Sequence, residues 1–214
     1  MFYEPDKRNH GLPHDPFKAL VVPRPIGWIS SIDREGRPNL APYSFFNGVA
    51  SDPPCVMFGP SLRPPERVGG GPAGSERALK DSHRNAEHSG EFVVNLATFA
   101  QREAMNASSA GLPAGENEFV AAGLETLPSR LVTPPRVKGA RAHLECVYLK
   151  TVDLPPSHRG AANFIVIGRV VGIHIDDDLI VDGRVDITRA RPIARLGYMD
   201  YCVVNEVFAL NRPD

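Results

Sequence analysis

Two short stretches of this chain combine residue types able to hold a flat ligand that carries an anionic tail. The first is Tyr43-Ser44-Phe45-Phe46-Asn47, which puts aromatic faces, hydroxyls and an amide within five residues. Gripping a planar polar heterocycle needs that mixture of ring surface and hydrogen-bonding groups. The second is Lys80-Asp81-Ser82, where an ammonium and a hydroxyl two residues apart can both reach a phosphate. Asp81 can then cap the chain or orient the lysine. Each stretch also has a plainer reading, as the loop of a decorated hairpin and as a solvated helix start.

Other chemistries find less support. Gly69 to Gly74 formally matches the GxGxxG dinucleotide fingerprint. However, the preceding strand-like run ends about ten residues earlier, Pro72 interrupts the turn, and no βαβ unit follows. There is no GxSxG elbow, no P-loop lysine and no HExxH pair, and His83 and His88 are spaced off one helical face. Cys55, Cys146 and Cys202 form no CxxC pair, so neither a disulfide framework nor a thiolate metal site is expected. Cys55 and Cys146 lie in apolar runs that suit buried, inert thiols. No metal site is expected.

The elements around the two stretches read mostly as strands. Leu20 to Val22 leads into Ile26 to Ile32, the polar turn Asp33-Arg34-Glu35-Gly36 follows, and a proline-set loop runs on to Asn47. Further strands are expected at Cys55 to Phe58, Phe92 to Ala97, Ala142 to Lys150 and Asn163 to Ile175. The last is apolar on both parities, the pattern of a strand covered on both faces. Short helices are expected at Ser75 to His88, stopped by Gly90, at Gln101 to Ala107 and at Glu116 to Gly123. Ser61 to Gly74 carries three consecutive glycines and three prolines and reads as a loop insertion within one domain, 1–214. Helices do not separate successive strands regularly. A mainly β barrel with short peripheral helices therefore fits better than a βαβ array.

At 214 residues the chain can bury a sizeable core, and its 42% hydrophobic and 23% charged residues are ordinary for a globular protein. A formal charge of −1 gives no broad attraction for nucleic acid or an anionic membrane. No apolar run is long enough to span a bilayer, and the opening MFYEPDKRNHG lacks the apolar core of a secretory leader. A cytoplasmic location is expected.

Several segments, in order, resemble the flavin reductase-like family, whose fold is the FMN-binding split barrel. PRPIGWISSIDREGRPNLAPYSFFN (Pro23 to Asn47) is similar to its opening strands. KDSHRNAEHSGEFVVNL (Lys80 to Leu96) resembles the family pattern Lys-Asp-Thr, then Asn, then Gly-Glu-Phe-Val-Val-Asn-Leu, with Ser82 in place of threonine. Asp182 to Asp186 and Pro192 to Tyr198 resemble its hairpin and closing Arg-Leu-Gly segment. The resemblance implies a homodimer of split barrels with one non-covalent FMN per subunit, NAD(P)H as electron donor, and a flavin, metal complex or monooxygenase partner as acceptor. It places Trp28, Tyr43, Ser44 and Phe45 against the ring and Asn47 with Ser44 toward the ribityl chain or phosphate. Lys80, Asp81 and Ser82 fall at the phosphate, with Arg24 and Arg195 as secondary cations. Hydride transfer to a flavin needs no side-chain acid or base, so no catalytic residue is assigned. An FMN-binding electron carrier without nicotinamide activity and a flavin-free dimerisation module are the alternatives.

Overall fold

The computed structural model describes residues 1–62, 79–112, 116–158 and 161–213, and strands dominate it. The glycine run and most of the expected insertion at 61–74 lie outside the described residues, as does the expected helix start at Ser75.

The first regular element is a single helical turn, α1 (Phe17–Leu20), followed by β1 (Arg24–Pro25) and β2 (Gly27–Ile32). The expected strand at Leu20 to Val22 is absent. Leu20 instead closes α1, and the carbonyl of Val21, with that of Lys18 in α1, accepts from the Arg24 guanidinium. The turn after β2 forms as its residues require. Asp33 accepts from the N–H groups of Glu35 and Arg37, and Gly36 takes a left-handed φ of 77°.

The stretch read as a proline-set loop is mostly strand. It contains β3 (Pro38–Tyr43) and β4 (Phe46–Ser51), with only Ser44 and Phe45 between them. Pro38 and Pro42 are tolerated because β3 is the edge of its sheet. Next come β5 (Pro54–Phe58), α2 (Asp81–Ser89) and β6 (Glu91–Leu96). Lys80 is extended, so α2 begins at Asp81, and Gly90 closes it with a φ of 73°. Two short helices, α3 (Arg102–Ala107) and α4 (Glu118–Ala121), follow near their expected places.

A small ribbon, β7 (Thr126–Leu127) with β8 (Arg136–Val137), precedes two long strands, β9 (Ala142–Leu154) and β10 (Asn163–Ile175). The hairpin β11 (Ile180–Val181) and β12 (Arg184–Val185) turns through Asp182 and Gly183, both with positive φ, as a tight hairpin needs. The chain then forms α5 (Ile187–Ala190), β13 (Ile193–Arg195) and β14 (Tyr201–Val203).

Seven strands make one sheet in the order β3-β2-β6-β9-β10-β5-β4, and a smaller sheet is ordered β1-β13-β14. The large sheet curls on itself. A Cβ on Gly27 in β2 would lie 2.5 Å from the Phe46 ring in β4, so strands near opposite ends of the sheet meet side to side. No backbone ladder joins them, which makes this the split-barrel architecture expected from the sequence.

Two core clusters fill it. Ile29, Tyr43, Phe58, Phe92, Val94, Cys146 and Val166 pack in one, and Ile26, Trp28, Leu40, Met105, Phe119 and Ile193 in the other. Phe92 fits because β10 carries glycine opposite it: a Cβ at Gly168 would fall 2.4 Å from the Phe92 ring. On β10, Val166 and Val170 are buried in the core, while Ile173 and Ile175, past the bulge that follows Val170, stand exposed at the end of the strand. No helix among the described residues is long and apolar enough to cross a membrane.

Candidate functional site

The link between β3 and β4 and the start of α2 converge, although 36 residues separate Ser44 from Lys80 in sequence. Tyr43 ends β3 with its ring buried 5.0 Å from Phe58, and the Lys80 ammonium lies 5.6 Å from the centre of the Tyr43 ring. Phe45 turns outward, 41% exposed, while its carbonyl accepts from Gly59 N–H at 2.7 Å. That close approach depends on Gly59, where a Cβ would stand 3.0 Å from Phe45 Cβ. The fold thus offers an exposed aromatic ring and an ammonium along one short stretch of surface.

Arg24 supports the loop from below. Its guanidinium donates to the carbonyls of Lys18, Val21 and Leu196 and sits 5.8 Å from the Phe45 ring. It is 6% exposed, and its Nε has no partner among the described residues. Burial, together with the neighbouring Arg195 cation, lowers its pKa from the ordinary arginine value.

The remaining expected site residues separate. Asp81 opens α2 and pairs with Arg84 one turn on. Asn47 is exposed on the edge strand β4 and accepts from the N–H of Gly48. Trp28 needs correcting: its ring is fully enclosed in the second core cluster, and its indole N–H donates to Ser108 Oγ at 2.9 Å. It has no surface to offer a ligand ring, because β2 lies between β3 and β6 and turns this side chain into the second core cluster.

Ser82 is corrected in the same way. It is 1% exposed, and its hydroxyl donates to Asn39 Oδ1 at 2.9 Å rather than pointing outward beside Lys80. The first turn of a helix carries successive side chains about 100° apart, so Lys80 and Ser82 face different ways.

The hydroxyl belongs to a buried polar network that sequence reading missed. Asn39 Nδ2 donates to Glu118 Oε1 at 3.0 Å and Leu40 N–H to Glu118 Oε2 at 3.2 Å. Ser31 donates to Asn39, and Asn85 donates to Ser31. Burial raises the Glu118 pKa, and the hydrogen bonds from the chain oppose that rise. The network fastens α2, and with it Lys80, to β2, β3 and α4. Its directly bonded partners lie up to 79 residues apart, so no local spacing could have revealed it.

A second polar cluster lies along α2. His83, 2% exposed, stacks 4.7 Å from Phe164 and shares its Nε2 with Glu87 and Thr151. Burial lowers its pKa despite Glu87. Across the sheet, the fully buried Glu145 accepts from the N–H groups of Arg130 and Leu131 and contacts His174 at 2.5 Å. Burial pushes the Glu145 carboxyl up, yet these contacts outweigh it and hold the pKa below the usual carboxylate range. Cys146 is buried and burial pushes its thiol up, the inert role expected; Cys55 is only half-buried.

Comparison with known proteins accords with this architecture. The model of the flavin reductase like domain matches residues 19–190. An uncharacterised protein of Halalkalibacterium halodurans is 36% identical over 195 residues, covering 91% of this chain and 88% of the relative. The crystal structure of nitrilotriacetate monooxygenase component B from Bacillus cereus superposes with a TM-score of 0.85 at 31% identity, covering 98% of each chain. The 2-nitrobenzoate 2-nitroreductase of Pseudomonas fluorescens superposes at 0.75 with 27% identity, over 92% of this chain and 88% of that one. Flavoredoxin of Desulfovibrio vulgaris, 20% identical with a TM-score of 0.73 over 94% of this chain and 96% of that one, shares the fold. With strands, loop and helix start in the order the family requires, the chain belongs to the flavin reductase-like family and is a flavin-related oxidoreductase.

Proposed function

We propose that the chain binds FMN without a covalent link and acts as an NAD(P)H-dependent flavin reductase, passing electrons on to a flavin, metal complex or protein acceptor. The observation that carries this is the convergence of Lys80 with the exposed Phe45 and buried Tyr43. A ring, a polar loop backbone and an ammonium anchored by a buried network suit a planar heterocycle with a phosphate tail, and nearby Arg24 adds positive charge. In this reading Tyr43, Ser44 and Phe45 border the ring, Asn47 approaches the sugar-alcohol chain, and Lys80 holds the phosphate with Asp81 orienting the helix start. Trp28 and Ser82 support these groups from behind. Bound flavin supplies the redox chemistry, and the chain supplies position, charge and exclusion of water.

A homodimer is part of the proposal. Ile173 and Ile175 on β10, with Leu149 on β9, expose apolar surface that a second copy would cover. A monooxygenase partner is supported by the relative named as component B of such an enzyme.

Purified protein incubated with FMN should retain it through gel filtration, and NADH or NADPH should bleach the flavin under anaerobic conditions. Retention without bleaching would replace the reductase by an electron carrier. Failure to retain flavin at all would overturn the assignment.

A further inference from the structure

A groove of about 410 Å³ lies between the segment Phe99 to Asn106 and the β13–β14 hairpin. Its floor is apolar, made by Met105, Ile193 and Val203, and its rim carries Arg102 and Arg195. The arginines are held flat. Arg195 stacks 4.5 Å from the Tyr201 ring and donates to the Tyr201 hydroxyl and the Tyr198 carbonyl. Arg102 and Arg191 both stack on Phe99, at 4.2 and 4.8 Å.

The charge here is not balanced. Arg195 lies directly opposite Arg24 in the β1–β13 ladder, an arrangement of like charges that costs stability. Neither of these, nor Arg191, has a carboxylate partner among the described residues, and Arg24 Nε is buried without an acceptor. Among the described residues Glu103 is the only acidic one lining the groove; it pairs loosely with Arg102 at 3.4 Å, and both are well exposed. Guanidiniums fixed on aromatic rings present planar donors suited to phosphate oxygens, and a floor with a methionine adapts to a flat base. The volume is near the lower end of the range for ligand pockets, about 300–1,000 Å³, so it suits one nucleotide rather than a whole dinucleotide.

We propose that this groove seats the adenosine arm of the nicotinamide donor in its 2′-phosphorylated form, with Arg102 and Arg195 taking the phosphates and Arg191, which shares the Phe99 ring with Arg102, adding a cation at the rim. The inference rests on the reductase reading above and adds to it a location and a preference for NADPH over NADH. The strand pairing of Arg195 with Arg24, whose guanidinium lies over Phe45, puts the groove one strand away from the flavin loop.

The test uses the flavin-free full chain and two fragments of the donor. Isothermal calorimetry with 2′,5′-ADP and with 5′-AMP should show the former binding at least about tenfold more tightly, the effect of one added charge-assisted contact. Trp28, the single tryptophan, packs in the same cluster as Met105 and Ile193, so its fluorescence should change in the same titration. Arg102→Gln and Arg191→Gln, both at exposed positions, should each weaken 2′,5′-ADP about tenfold while leaving FMN affinity unchanged. Absence of 2′,5′-ADP binding, equal affinity for the two fragments, or indifference to both substitutions would overturn the groove assignment. Bleaching of the FMN-loaded protein separates the two readings. If NADH and NADPH bleach equally and 2′,5′-ADP does not bind, the reductase stands and the groove assignment falls; if neither bleaches, the reductase reading itself fails.

Discussion

Lys80 and Ser82 look alike as phosphate ligands in the sequence, and the structure separates them, so replacing each with alanine should produce different phenotypes. Lys80→Ala removes an ammonium from the surface beside Tyr43 and Phe45 without opening the core. Losing a charge-assisted contact to phosphate costs roughly 1.5–3 kcal/mol, which is about ten- to a hundredfold in FMN affinity. Thermal stability of the flavin-free protein should barely move. Ser82→Ala instead deletes a buried neutral hydrogen bond to Asn39, whose Oδ1 keeps its contact with Ser31 at 3.3 Å. The loss is therefore about 0.5–1.5 kcal/mol rather than that of a stranded polar group. For a chain of this size that lowers Tm by about 1–6 °C. FMN affinity, read by quenching of flavin fluorescence on binding, should stay near that of the parent. Two results would refute this reasoning: an unchanged FMN dissociation constant in Lys80→Ala, or a tenfold weaker one in Ser82→Ala with Tm intact.

Further expectations follow from single contacts. Trp28→Phe gives up the bond to Ser108 and some packing, and should cost about 1–3 kcal/mol in denaturant unfolding with no change in FMN affinity; weakened FMN binding at full stability would return Trp28 to the site. Gly168→Ala drives a methyl into the Phe92 ring and should destabilise by about 1–3 kcal/mol or more, a cost that Phe92→Leu in the same chain should partly relieve. His83 and His143 are buried, and burial lowers both pKa values below the ordinary 6.5. Folding then disfavours their protonation, so the stability they contribute is complete above pH 6.5 and is lost as the pH falls through their folded values. Denaturant midpoints should fall between about pH 7.5 and pH 5, and a flat or rising midpoint would contradict this.

How far the sequence could be read depended on how local each determinant is. β6 follows from period-two alternation, β5 and β10 from continuous apolar runs, the latter rich in branched residues, and the end of α2 from Gly90. The prolines at 38 and 42 misled, because their missing N–H groups argue against a strand only where a neighbour would use them. The site divides along the same line. Lys80 and the Tyr43 to Asn47 loop were visible as residue types, whereas the inward turns of Trp28 and Ser82 depend on partners in distant segments. Glu118 carries no local signal at all. Its role exists only because α4 lands beside β3, and a lone glutamate at the start of a short helix reads as solvated.

The proline-bearing edge of the sheet has a consequence for how copies of this chain can meet. Backbone donors on the outer side of β3 come from positions 38, 40 and 42, since alternate residues direct their N–H groups the same way. Two of these are prolines with nothing to donate, and the third, Leu40 N–H, is occupied by the Glu118 carboxylate. No foreign strand can add to the sheet there, whether from a second folded molecule or from an unfolded chain during synthesis. Association along this edge must therefore proceed through side chains rather than through backbone pairing, which leaves β4 as the other edge of the large sheet. Pro42→Thr together with Glu118→Ala would restore two outward donors and leave the sheet open to growth from that edge.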